Sequence, residues 1–246
     1  FSIDANTTGD DNTGIGYKAL NANTTNSDNT GIGDNALLLN TGSANTAVGA
    51  DAMVATTTGS NNVAVGKGAL SSATTTNDNT AVGISAMEST TGGQNTGIGS
   101  AALYTNSSGE NNTAVGYFAL KANTTAGSNT AVGHNALLSI TTGTRNVGIG
   151  TNANDASTTT SDNVAVGYAA LGGANSGVQC TAVGNYALTA NTTANSSTAF
   201  GFNALKANTT GSNNVAVGEN CLVGNTTGST NTALGNNTLD VSNSSA

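Results

Sequence analysis

The sequence predicts an all-β fold: a parallel β-solenoid of about fourteen coils of 16–17 residues, running as one continuous array over residues 1–246. Three observations lead there. A motif of the form Asn-Thr-Ala-Val-Gly recurs along the chain, with its closing glycine at Gly16, Gly33, Gly49, Gly66, Gly83, Gly99, Gly116, Gly133, Gly150, Gly167, Gly184, Gly201, Gly218 and Gly235. Eleven of the thirteen intervals are 17 residues and two are 16, and a short fixed period marks a solenoid whose repeats stack as coils. The repeat is rich in Gly, Thr and Asn, lacks a 3.6-residue apolar rhythm and is too short for a helix pair, which excludes a helical reading.

Each element of the coil follows from a column of the repeat, with the motif glycine counted as position 0. Position −1 is always apolar (Ile15, Ile32, Val48, Val65, Val82, Val115 and Val132 among them), and position −3 is Thr in ten repeats and Val in four. Branched residues at alternating positions predict a short strand with these two columns on one face. The expectation is that this face points inward as a core ladder, completed by the Leu or Met at +4 (Leu20, Leu37, Leu120). The glycine makes the corner. A short Ala-Leu segment follows, and then a polar loop such as Asn-Thr-Thr-Gly-Ser closes the coil.

Two columns call for a special explanation. Position −4 is Asn in twelve repeats, with Cys180 and Ser197 as exceptions. Stacked Asn side chains can hydrogen-bond from coil to coil, or Asn can serve as a turn residue tolerant of left-handed backbone. Position −2 is Ala in ten repeats and Gly in four. If −3 and −1 point inward, this column points outward, and its strict smallness implies that something presses on it. Ala47, Ala64, Ala81, Ala114 and Ala131 are therefore the self-association candidates, with burial inside a thin coil as the alternative.

Composition narrows the function. The net charge is −8, and the five basic residues, Lys18, Lys67, Lys121, Arg145 and Lys206, stand singly, so nucleic acid is not an expected partner. No stretch approaches a transmembrane helix, so no membrane insertion is expected in this segment. One His and two Cys give no nucleophile–base or metal set, and the scattered acids converge on no cleft. No enzyme activity and no cofactor are expected. The Asp column at −5 (Asp11, Asp28, Asp78, Asp162) reads as solvated loop carboxylates, with a shared cation as the alternative. The loops carry N-x-S/T sequons in one column, at Asn23, Asn106, Asn123, Asn191, Asn208 and Asn225. They read as turn formers or, in a secretory system, as a stripe of N-glycan acceptors. Both ends of the chain fall in mid-repeat, the expectation being a piece of a longer fibre or a subunit that stacks head to tail.

The Asn-Thr-Ala-Val-Gly core, the spaced Ala-Leu and the Asn-Thr-Thr-Gly loop resemble the head repeats of YadA-like trimeric autotransporter adhesins, and the repeat stalks of bacterial and phage tail-fibre-domain proteins. The resemblance runs from about Asn12 to Leu239. It implies a left-handed β-roll in a surface-exposed, often adhesive trimeric fibre. The repeat here is longer in its loop, and Thr is common where that family tends to have Val. The expected function is thus a structural fibre or filament subunit, extracellular or on the cell surface. It would self-associate as a homotrimer or a head-to-tail filament, with glycans or a host surface as adhesive partners. An ice-binding or carbohydrate-binding solenoid and a tail-fibre spacer are the alternatives.

Overall fold

The branched residues of each motif hold extended backbone for three residues only, because the following glycine turns the chain. The computed structural model describes residues 2–239. Among the described residues all regular structure is strand, one per coil, and the fold is an all-β parallel solenoid.

The coils form two compact units, Phe1–Thr125 and Ala126–Ala246. The first contains β1 (Thr13–Ile15), β2 (Thr30–Ile32), β3 (Thr46–Val48), β4 (Val63–Val65), β5 (Thr80–Val82), β6 (Thr96–Ile98) and β7 (Thr113–Val115). The second contains β8 (Thr130–Val132), β9 (Val147–Ile149), β10 (Val164–Val166), β11 (Thr181–Val183), β12 (Thr198–Phe200), β13 (Val215–Val217) and β14 (Thr232–Leu234). Within each unit every strand pairs in parallel with the next, equivalent positions facing each other, as Ala47 faces Ala64 and Ala165 faces Ala182. A 16-residue coil keeps this register, since Gly31 still faces Ala47, so the missing residue is taken from the loop. Backbone hydrogen bonds continue the stacking beyond the strands: Gly33 N–H donates to Ile15 O at 2.7 Å, and Leu37 N–H to Ala52 O at 3.1 Å.

The strand face is the reverse of the sequence expectation. Ala47, Ala64, Ala81, Ala114 and Ala131 at −2 are fully buried, so they are not a self-association surface. Ile15, Ile32, Val48, Val65, Val82, Val115 and Val132 at −1 point outward, half-buried or exposed, with Ile15 at 59%. Leu20, Leu37 and Leu120 are core residues as expected. The physical reason lies in the interior width. The Leu or Met at +4 crosses the coil and fills it, leaving room for at most a methyl group at −2. A Cβ on Gly97 would sit 2.6 Å from Met87 Cγ, and one on Gly148 would sit 2.8 Å from Leu137 Cγ. The Leu column itself has left-handed backbone, with φ near +52° at Leu120 and Leu137. That conformation costs roughly 1–2 kcal/mol for an L-residue, comparable to the gain from burying the side chain.

Asn ladders supply much of the remaining interior. At −4, Asn45 N–H donates to Asn29 Oδ1 at 3.0 Å, and Asn62 N–H donates to Asn45 Oδ1 at 3.0 Å. Along the column the Asn Nδ2 reaches a loop carbonyl of the next coil, as Asn45 does to Gly59 O at 2.8 Å and Asn146 to Thr160 O at 2.7 Å, while Asn231 Nδ2 turns back to Asn214 Oδ1 at 3.1 Å. Asn45 thus satisfies its own amide and a neighbour's backbone, accepting the Asn62 N–H while its Nδ2 reaches Gly59 O. The left-handed turn residue is instead the one before it, such as Asp28 (φ 62°) or Asp78 (φ 60°). Loop hydroxyls form parallel ladders: Thr57 Oγ1 donates to Thr74 O at 3.0 Å, and Ser43 N–H donates to Ser60 Oγ at 3.1 Å. These bonds order a loop whose composition alone suggests flexibility.

Candidate functional site

Alternation puts −3 and −1 on one face of each strand, and the small −2 residue anchors the other face inside. The outward face is therefore two rows, Thr or Val beside Val, Ile, Phe or Leu. Neighbouring residues within a row lie about 4.8 Å apart and the rows about 6.6 Å apart by strand geometry. No charged residue occurs in either row in either unit. The apolar row is substantially open to solvent, with Val65 at 36% and Ile98 at 39% in the first unit and Phe200 at 55% in the second. The adjoining +1 row mixes Tyr17, Asp34, Lys67, Tyr117, His134 and Glu219 and shows no such restriction. Sequence reasoning missed this surface because it assigned the rows to the core.

The sequon stripe is not a glycan surface in the folded chain. Asn23, Asn106, Asn123, Asn191, Asn208 and Asn225 are all fully buried. Their side chains brace the loop from inside: Asn106 Nδ2 donates to Gly109 O and Asn208 Nδ2 to Gly211 O, both at 2.9 Å. Adjacent Asn residues also bond to each other, as Asn225 Nδ2 does to Asn208 Oδ1 at 2.9 Å. An oligosaccharyltransferase could reach these nitrogens only before the coil closes.

The titratable groups do not converge. Cys180 and Cys221 are free and buried, and burial pushes both thiols up, away from the reactive thiolate. Cys180 keeps the Asn-column role, its Sγ donating to Ala194 O at 3.2 Å. His134 is exposed on the +1 row. In the −5 column, Asp162 takes a bidentate contact from Arg145 (2.6 and 2.9 Å) that holds its carboxyl below the usual range. Asp78 accepts from Asn61 Nδ2 at 3.2 Å. Among the described residues no group of three or more His, Cys, Asp or Glu could hold a metal ion. A polar notch of about 330 Å³ lies beside Thr75, Asp78, Gln94 and Glu110, where the short fifth coil recedes. No described helix is long and apolar enough to cross a membrane.

No family model, curated protein or solved structure matches the chain.

Proposed function

We propose that this chain is a structural segment of an extracellular or cell-surface fibre, and that it self-associates side by side through the outward rows at −3 and −1. The observation that carries the reading is an outward strand face, half-buried to exposed, on which an apolar row runs beside a row of Thr and Val and neither carries a charge. Apolar surface of this kind gains by leaving water, and contiguous patches of it mark association sites. A second copy is the partner that fits. Its rows repeat at the same coil spacing, so each Val or Ile meets an equivalent residue, and neither side carries a charge that would be left unpaired. Seven strands of three residues cover roughly 300 Å² per unit by strand geometry. A stable interface needs about 800 Å² per partner, so association must draw on adjoining rows as well.

The test is the oligomeric state of the purified chain by light scattering and native mass spectrometry. Ile98→Lys with Val115→Lys places two charges on the outward face, where folding tolerates them. The expected result is a shift from oligomer to monomer with an unchanged circular dichroism spectrum, while Thr75→Lys on the loop changes nothing. A wild-type monomer at all accessible concentrations rules the reading out.

The outward Thr at −3 gives a second reading, since a flat Thr array is also what an ice-binding surface needs. Val at Val63, Val147, Val164 and Val215, and the apolar −1 row, favour protein contact. Inhibition of ice recrystallisation by the wild type, lost in Thr80→Lys, would decide for ice.

A further inference from the structure

Aromatic residues collect on one corner of three consecutive coils in the second unit. Tyr168 and Phe202 occupy +1, and Tyr186, in the coil between them, occupies +2. The Tyr168 and Tyr186 ring centroids are 5.3 Å apart at 76°, and those of Tyr186 and Phe202 are 6.3 Å apart at 78°. Tyr186 thus stands edge-to-face against both neighbours and holds them in place. Tyr168 and Phe202 remain 45% and 46% exposed. Coil spacing separates these two rings by about 10 Å along the axis. The surroundings are polar, with one cation, Lys206, and one anion, Glu219, which follows Phe202 in the +1 column. Asn185 accepts the Tyr168 N–H on its Oδ1 at 2.9 Å, which leaves its Nδ2 as a donor. Lys206 Nζ lies 5.1 Å from the Tyr186 centroid.

We infer that this corner is a binding site for an uncharged, extended polysaccharide of β-linked pyranoses. The axial C–H faces of such sugars are apolar and pack on aromatic rings, while their equatorial hydroxyls need neutral donors and acceptors at the ring edges. The phenol groups and Asn185 provide those, and the Lys206 ammonium adds one charged donor. Tyr168 and Phe202, two coils apart in one column and both open to solvent, suit a chain that stays extended and not one that winds into a helix. Charge selects further: a carboxylated or sulfated glycan would meet Glu219 as well as Lys206, on a chain of net charge −8. A prearranged, mutually braced ring set keeps the ordering cost of binding low.

This inference does not rest on the association proposed above, and its test reads both. The full chain is mixed with insoluble cellulose, chitin and β-mannan, and the bound fraction is measured, with light scattering on the same samples. The wild type is expected to be retained on at least one of them. Tyr168→Ala and Phe202→Ala should each weaken retention about tenfold. Tyr168→Phe keeps the ring and should bind within about twofold of wild type, as should Tyr17→Ala, which lies in the first unit. No retention of the wild type on any of the three polymers overturns the inference, as does equal retention of the alanine variants. Loss of retention only in variants that also change oligomeric state assigns the rings to self-association instead and overturns it too.

Discussion

Asn154→Leu should stabilise the second unit. Asn154 occupies the +4 column that is Leu or Met in the other thirteen repeats, and it is fully buried there. Its Oδ1 accepts from Ser157 Oγ, but its Nδ2 finds no partner in the chain. Thr160 Oγ1, six residues on, and Asn175 Nδ2, in the following coil, are likewise buried and unpaired. The backbone is already that of a Leu position: φ is 47°, and Asn154 N–H donates to Ala170 O at 2.9 Å, as Leu137 N–H does to Ala153 O at 3.0 Å. Leu and Asn branch at the same atom; Leu is the larger, but the coils on either side already hold Leu137 and Leu171 at this place.

Burying the two methyls contributes about 1.5–3 kcal/mol, and removing an unpaired buried amide about 1–3 kcal/mol. Stranding the Ser157 hydroxyl offsets about 1 kcal/mol of that. The net expectation is a gain of about 2–4 kcal/mol, or a rise in Tm of about 5–10 °C for a chain of this size. Urea unfolding of the full chain, with hydrogen exchange to localise the change to coils eight to ten, measures it. Asn154→Leu with Ser157→Ala should add a further small gain, and Leu137→Asn should cost a similar amount in the other direction. An unchanged or lowered midpoint in Asn154→Leu would refute the reasoning, because it would mean that the polar cluster of this coil is already satisfied.

The remaining predictions address orientation, corner and charge. Ala114→Lys should unfold its coils at a cost of several kcal/mol, since it drives an unpaired charge inside, whereas Val115→Lys next to it should change monomer stability by less than about 1 kcal/mol; circular dichroism melting of the pair checks the inside-out assignment. Gly49→Ala should cost about 3 kcal/mol or more by denaturant midpoint, because Gly49 has φ +137° and a Cβ there would lie 2.6 Å from Gly66 O. Partial burial raises the Asp155 carboxyl pKa. A raised folded pKa in an acid means that the charged form weakens the fold, so the penalty is present at neutral pH and relieved as pH falls through that value. Asp155→Asn should therefore raise the unfolding midpoint at pH 7 and leave it unchanged at pH 3.

The period, the coil count and the position of every strand were legible because stacking repeats the same residue types at the same place. Which strand face points inward was not, because alternation groups −3 with −1 but does not orient the pair. Size tolerance carried that information. The −1 column accepts Val, Ile, Phe200 and Leu234, a spread of volumes that only an open side allows, while −2 accepts nothing larger than a methyl. The sequon column held a similar signal. Its places are shared by Thr56, Ala73, Thr90 and Ile140, and a column that exchanges Asn for Ile faces the interior. The polar defect at Asn154 was visible as an exception, but its unpaired amide depends on neighbours that only the folded coil brings together.

Stacking and outward function place different demands on the repeat, and the contrast between rows separates them. An Asn at −4 is satisfied only when the next coil presents a matching backbone and loop, so identity is imposed by the neighbouring coil and needs no partner molecule to explain it. The same holds for Ala or Gly at −2 and Leu at +4. None of these demands reaches the outward rows. The +1 row accordingly varies freely and includes Asp34, Lys67, His134 and Glu219. The −3 and −1 rows are also outward, yet their 28 positions, two in each of fourteen strands, hold only Thr, Val, Ile, Phe and Leu. Strand propensity explains the branched shapes but not the complete lack of charge, since exposed strand positions commonly carry Lys or Glu as protection against edge and face pairing. A surface under no constraint from within, and still kept free of charge with one wholly apolar row, is what supports the proposed association along that face.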